Sequence, residues 1–276
     1  MKFGTHVSIA AGLDKAPKRA NDLGCECFQL FTRSPRGGQP SRLDDEVIEN
    51  FLSDCKKYDL DNYYVHTPYF INLASLDNKV RNNSIRLIRE DLERSSLLKV
   101  KSIMTHLGSS KGMDRSEAIK NVADSVVKIL DGYTGSSILM LENSAGQGDT
   151  IGDTFEEIAE ILRLTDNDEV RVCIDTAHLF GAGYDLRDKE SLDITLSKIK
   201  KSFGLDKVML IHGNDSKVGL GERKDRHEHI GKGKIGESGF KAIVEDSRLS
   251  HLDIIVENPP DEVAEDIKLL KKLRGN

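Results

Sequence analysis

No stretch of this 276-residue chain stays apolar for long. The longest runs, such as SILMLE, are strand-sized, which excludes a membrane-spanning helix. The opening MKFGTHVSIAAG has one lysine and no sustained apolar region, so it does not read as a signal peptide. Cysteine is scarce: Cys25, Cys27, Cys55 and Cys173 lack the spacing of a disulfide framework, which points to a reducing cytoplasm. Cys25-x-Cys27 has no second pair to complete a metal knuckle and reads as two packed side chains. Excess positive charge is lacking too. The formal net charge is −6, which argues against adhesion to nucleic acid through a broad basic surface and leaves room only for local patches. There is no Gly-x-Ser-x-Gly elbow and no Walker A motif. Gly231-x-Gly233-x-x-Gly236 matches the dinucleotide fingerprint in letters but follows a charged loop instead of a strand. Its expected use is close backbone approach to a phosphate before the next helix.

What is present is alternation. Short β-type runs occur at 2–7, 27–32, 62–67, 101–107, 137–143, 171–176, 207–213 and 252–258. Between them, near 14–23, 44–58, 79–99, 115–131, 153–164, 187–202, 238–246 and 261–274, apolar residues recur at intervals of three and four. Eight strand–helix units imply a parallel sheet with helical crossovers, and eight also close a barrel. An α/β (β/α)8 TIM barrel is predicted over an open doubly wound sheet, because no strand–glycine-fingerprint–helix unit opens the chain. No linker or low-complexity tract interrupts it, so residues 1–276 are expected to form one domain. A hydrophobic fraction of 38% suffices for one large core. Residues 214–237 form the longest non-periodic segment, and a loop of that length in a compact domain is usually functional.

The strand ends carry the chemistry. His66, His106, Glu142, Asp175, His212 and Glu257 close six consecutive strands, with His178 three residues past Asp175. Each alone has an ordinary reading: a strand-end histidine bonds at the surface, and an acid there caps a helix. Together, at one rim of a parallel barrel, they form a constellation where barrel active sites are built. Crowded carboxylates repel, so a positive partner is required, and divalent metal is the economical one. Asp225 and His227, two apart in DRHEHIG, can reach one ion. Five histidines and four carboxylates exceed what one zinc accepts, whereas three ions absorb them with a bridging carboxylate. The histidine share favours zinc, manganese or iron over magnesium. His229 reads as a supporting or solvent residue, His251 falls at the wrong end, and His6 lines the site without ligating.

Clustered metals suit in-line displacement at phosphorus. Lys217, Arg223, Lys224, Arg226, Lys232 and Lys234 crowd the loop after strand seven, and Arg33 and Arg36 the loop after strand two. These border the metals and suit phosphate contact. Tyr69 and Phe70, beside His66, could wedge into a base stack, or could form a small loop core.

LENSAGQG (141–148), CIDTAHLFGAGYDL (173–186), HGNDSK (212–217) and DRHEHIGKGKIG (225–236) resemble the signature blocks of the endonuclease IV family. These are three-zinc apurinic/apyrimidinic endonucleases on a (β/α)8 barrel. The resemblance runs from GTHVS to the strand ending in Glu257. It implies that His66, His106 and Glu142 hold one zinc. Glu142 would bridge to a second, held also by Asp175, His212 and Glu257, and His178, Asp225 and His227 would hold a third. A zinc-activated hydroxide would cleave duplex DNA 5′ to an abasic site, leaving a 3′-hydroxyl and a 5′-deoxyribose phosphate, with Glu142 and Glu257 as catalytic carboxylates. Arg36, Tyr69 and Phe70 match positions that press on DNA at the lesion, and Lys217, Arg226 and Lys232 are expected to contact it. The protein is expected to be a cytoplasmic monomer with no membrane partner. Three departures stand out: RSPRGGQP lacks the family's tryptophan, Gly213 replaces a leucine, and ENPP replaces a Glu-Thr-Pro type sequence. Two rival expectations are a metal-dependent sugar isomerase or epimerase, and a lesion-binding protein without turnover.

Overall fold

A computed structural model describes residues 1–259 and 261–275. Eight strands form a closed parallel barrel: β1 (Phe3–His6), β2 (Cys27–Leu30), β3 (Tyr63–His66), β4 (Ser102–Thr105), β5 (Ile138–Glu142), β6 (Arg171–Asp175), β7 (Val208–His212) and β10 (Asp253–Val256). β8 (Asp215–Ser216) and β9 (His227–Glu228) form a small antiparallel pair in the loop that follows β7. The ring runs β1-β10-β7-β6-β5-β4-β3-β2, and the β1–β10 pairing, Phe3 to Ile254 and Thr5 to Val256, closes it. The predicted (β/α)8 TIM barrel is the observed fold.

The helices outside the ring follow from apolar spacing and caps. In α4 (Arg115–Leu130), Ile119, Val122, Ala123, Val126 and Ile129 are buried, the three-and-four spacing of one helical face. Burying each larger aliphatic side chain contributes roughly 1.5–3 kcal/mol. Side-chain caps start several helices: Asp44 for α2 (Asp45–Lys57), Asp77 for α3 (Asn78–Leu97), Asp114 for α4, Thr154 for α5 (Phe155–Thr165) and Asp188 for α7 (Lys189–Ser202). Such a cap is worth about 1 kcal/mol. The circle is completed by α1 (Ala16–Asp22), α8 (Gly236–Glu245) and α9 (Val263–Arg274).

One helix was not expected. Asp175 ends β6 and is also the N-cap of α6 (Thr176–Ala182), its Oδ1 accepting the His178 N–H at 2.7 Å. No turn residue separates the two elements because the cap is the last strand residue. Gly183, with φ 103°, takes the left-handed conformation that ends α6. No helix among the described residues is long and apolar enough to cross a membrane.

Candidate metal centre

The barrel interior is built in two storeys. The lower is a packed plug of Cys27, Tyr64, Met104, Met140, Cys173, Leu210 and Ile255, one from each of seven strands. Strand side chains alternate between faces, so the residue two further along points the same way. Those residues are Gln29, His66, His106, Glu142, Asp175, His212 and Glu257. On β1 the pair is Gly4 and His6. Gly4 has no room for a Cβ, which would collide with the Cys27 carbonyl oxygen. The chain thus changes from plug to polar layer in one step, on every strand.

The nine side chains singled out in the sequence come together here in overlapping groups. His66, His106 and Glu142 offer atoms within 4.8 Å of one another, and so do Glu142, Asp175, His212 and Glu257. Asp175, His178 and His227 form a third set. Asp225 joins it, with Oδ2 3.2 Å from His178 Nε2 and Oδ1 3.2 Å from His227 Nε2. Among these three sets, Glu142 and Asp175 each belong to two. Spacing suggested that Asp175 and His178 need not share an ion, but the structure brings both into one group, because α6 folds His178 back over the strand end. Cys173 also lies near Glu142 and His212. Burial pushes its thiol up to about 12, and it packs in the plug as its strand position indicated.

The ring nitrogens are oriented by neighbours. His178 Nδ1 lies 2.9 Å from the Asn143 carbonyl, and His66 Nδ1 is bonded to the Thr67 carbonyl. A carbonyl only accepts, so both Nδ1 atoms carry hydrogen and, in the neutral ring, each Nε2 holds the lone pair. Outer contacts of this kind are typical of metal-binding histidines.

Charge in the cluster is unbalanced without a cation. Burial alone would raise the Glu142 pKa; the adjacent His106 and His212 reverse this and hold it well below the usual range. Burial would lower His178 and His212, but the carboxylates facing them, with Cys173 also beside His212, drive both well upward. His66 moves the other way, pushed down by burial and by His106. His6 falls to about 3 through burial and proximity to His212. At His178 and His212 the facing carboxylates favour the protonated ring. Glu142 Oε2 lies 2.9 Å from His106 Nε2 but is buried without a hydrogen bond, as is His227 Nε2. Such atoms, converging without donor alignment, and an N/O donor set of this composition fit divalent metal of the zinc type.

Loops hold the groups in register. Asn214, fully buried, accepts the Glu257 N–H at 2.8 Å and donates to Asp175 Oδ2 at 2.6 Å. Asn143 accepts the Asp175 N–H at 2.7 Å. The Gly-x-Gly-x-x-Gly segment does not reach for an external phosphate. Its N–H groups at Gly231, Gly233, Ile235 and Gly236 donate to the Asp215 carboxylate, as does Ser216. A Cβ at Gly233 would lie 2.6 Å from the Asp215 carboxyl carbon and from the Ser216 oxygen, so glycine is required there by the internal acid. Gln147 accepts the Asp225 N–H at 3.1 Å. Arg223 bonds Asp153 and the Gly146 carbonyl, tying the same loop to the one after β5. His229 is buried against Asp266 at 2.7 Å, a supporting position.

Above the layer lies a cavity of about 400 Å³ lined by His6, His66, Tyr69, His106, His178, Asp225, His227, Glu257 and Asn258. Tyr69 (64% exposed) lines it and Phe70 (44%) follows in the chain, so they are no buried loop core. Arg36, Lys217 and Arg226 are exposed; Lys232 is exposed and ion-paired with Glu262. Arg33 departs from expectation. It is buried, bonded to Asp91 at 2.7 Å and Glu90 at 3.0 Å, and anchors the loop instead of facing solvent. Sequence reasoning passed over Gln29, Asn143, Asn214 and Asp215. For Gln29 the signal was its register, two residues beyond Cys27.

Fold and site together define a xylose isomerase-like TIM barrel, and a family model of that description matches residues 17–273. Within that class, the chain is 36% identical over 277 aligned residues to a probable endonuclease 4 of Chloroflexus aggregans, covering 99% of this chain and 97% of the relative. It is 38% identical over 268 residues to that of Aquifex aeolicus, covering 97% and 95%. The crystal structure of endonuclease IV from Thermus thermophilus superposes with a TM-score of 0.89 at 32% identity, covering 99% and 98%. The chain belongs to the endonuclease IV family. A D-tagatose 3-epimerase-like protein shares the fold at 20% identity and TM-score 0.75, over 99% and 97% of the two chains.

Proposed function

We propose that the protein is a DNA-repair phosphodiesterase, an apurinic/apyrimidinic endonuclease that cuts duplex DNA 5′ to an abasic site. The observation that carries this reading is the overlap of three ligand groups through Glu142 and Asp175, which matches a trinuclear centre better than a mononuclear one. His66, His106 and Glu142 would hold one zinc; Glu142, Asp175, His212 and Glu257 a second; His178, Asp225 and His227, with Asp175 alongside, a third. When bound, the ions supply Lewis acidity at the phosphoryl oxygens and make water more acidic.

The chain's own residues supply the rest. Glu257, held by Gln29 and Asn214 at the cavity wall, orients the attacking water and accepts its proton. Water adds at phosphorus and the bond from phosphorus to O3′ breaks. O3′ takes up a proton, giving a 3′-hydroxyl and a 5′-deoxyribose phosphate. Glu142 keeps its two groups in fixed relation from the centre of the layer. Tyr69 and Phe70 press on the helix at the lesion, while Arg36, Lys217, Arg226 and Lys232 meet backbone phosphates. Without tryptophan, residues 33–40 have less bulk to wedge with, so Tyr69 and Phe70 take a larger share.

Incision of a duplex holding one tetrahydrofuran site tests this. Cleavage on the 5′ side, lost with chelator and restored by zinc, is the expected result. Binding without a cut in the presence of zinc would overturn it in favour of a lesion-binding protein. A sugar epimerase remains the second reading because its fold is shared, and elemental analysis separates the two. About three zinc ions per chain supports the nuclease, and one supports the epimerase.

A further inference from the structure

Eight inward positions form the polar layer, and six of them belong to the proposed cluster. The two left over are His6 and Gln29. Gln29 is fully buried, and its amide meets three members of the layer at once. Nε2 lies 2.7 Å from Glu257 Oε1 and 3.1 Å from His6 Nδ1; Oε1 lies 2.9 Å from His212 Nε2.

The orientation of this amide is forced. A carboxylate only accepts, so the Gln29 atom facing Glu257 must be the nitrogen. Oε1 then faces His212 Nε2, which must carry a hydrogen. In neutral His212 the lone pair is therefore on Nδ1, the atom 2.8 Å from Glu142 and 3.2 Å from Glu257. The second amide hydrogen points at His6 Nδ1, which must accept. Neutral His6 keeps its hydrogen on Nε2, a buried atom with no partner.

We propose that Gln29 is a positioning residue of the metal centre: one amide fixes His212 with Nδ1 turned to the cation and holds the Glu257 carboxylate in the orientation needed for the same cation. The proposal rests on the reading of the nine side chains as a metal cluster. An apolar side chain of similar length would fill the space but leave His212 free to place its hydrogen on Nδ1, where it would donate to Glu142 and oppose the metal. Glu257 would be free to rotate. Both effects fall on one group of ligands, so the loss should fall on one ion.

The test is zinc affinity by chelator competition on the full-length protein and its Gln29→Met variant, with long-range proton–nitrogen NMR of the histidine rings. Gln29→Met is expected to bind one of its zinc ions about 10–100-fold more weakly, with the others unchanged. In the wild type, zinc-loaded His212 should ligate through Nδ1 with a slowly exchanging Nε2–H, and His6 should be the Nε2–H tautomer with or without zinc. Gln29→Glu keeps the acceptor, so it should restore the His212 Nε2–H signal but not the His6 tautomer. Equal affinity in Gln29→Met, or in the wild type either ligation of His212 through Nε2 or an Nδ1–H His6, would overturn the proposal. If Gln29→Met does not fold, the wild-type spectra decide it. A wild type that binds no zinc sinks the metal reading instead, and the His6 tautomer still reports on the amide.

Discussion

At the scale of single residues, Asp175 has the densest set of roles. It ends a strand, caps a helix, accepts from Asn214 and reaches two ligand groups. Asp225, 44% exposed on its side chain, reaches only one. Elemental analysis of purified variants is therefore expected to show two fewer zinc ions for Asp175→Asn and one fewer for Asp225→Asn; equal losses would contradict the shared role. Glu257→Gln should slow incision by at least about 10²–10⁴-fold, the range for losing a positioned base, and weaken the one zinc that the same carboxylate would hold. A single-turnover rate near wild type would remove Glu257 from the chemistry. The metal-type side chains were legible in the sequence because strand ends announce themselves where an apolar run meets an acid or imidazole. Gln29 was not, because an amide is no metal ligand and its role appears only when eight strands are read in register. Arg33 was misread because nothing in its local sequence reveals Asp91, which is 58 residues away and buried.

Among the elements, the loop after β7 is the one held by most devices. Asp215 gathers the amides of Gly231, Gly233, Ile235 and Gly236, Gln147 accepts from Asp225, and Arg223 ties the segment before it to the loop after β5. Asp215→Ala would leave these buried amides without an acceptor, at about 1–3 kcal/mol for each that stays unsatisfied. The expected outcome is a lowered melting temperature and faster hydrogen exchange confined to 225–236, with the zinc held by His178 and His227 lost first. Lys232→Ala should weaken duplex binding uniformly across sequences and reduce the salt slope by about 1; an unchanged slope would mean that Lys232 stays with Glu262 in the complex. The strands and long helices were readable to within a few residues because their periodicity is strong. α6 was not, since seven residues are too few for a period to emerge and its start is hidden inside a strand. The glycine fingerprint shows the same limit: its letters specify amides pointing inward and say nothing of which anion they meet.

For the molecule as a whole, closure of the ring is what the site depends on. β1 joins β10, and α9 fastens the joint. Arg274 bonds Glu26 at 2.7 and 2.9 Å and also the Met1 carbonyl, and Glu26 accepts the Phe3 N–H. Burial opposes ionisation of Glu26, but Arg274 and the Phe3 N–H outweigh it and lower its pKa from 4.5. A depressed acid stabilises the fold above its unfolded value, and that stabilisation is lost as pH falls through the folded value. Melting curves of wild type and Glu26→Gln should therefore differ above pH 4.5 and converge in more acidic buffer. Chelation should also destabilise the whole barrel, because ions that bind only the folded state add stability with concentration. A thousandfold excess over Kd is worth about 4 kcal/mol.

That every strand gives one member to the polar layer has a consequence for shortened copies of the chain. Glu257 and the joint between first and last strands follow every other member of the layer along the chain. A copy that stops short of them has an incomplete middle ligand group and no closed rim. The polar layer is thereby completed only when the ring itself closes.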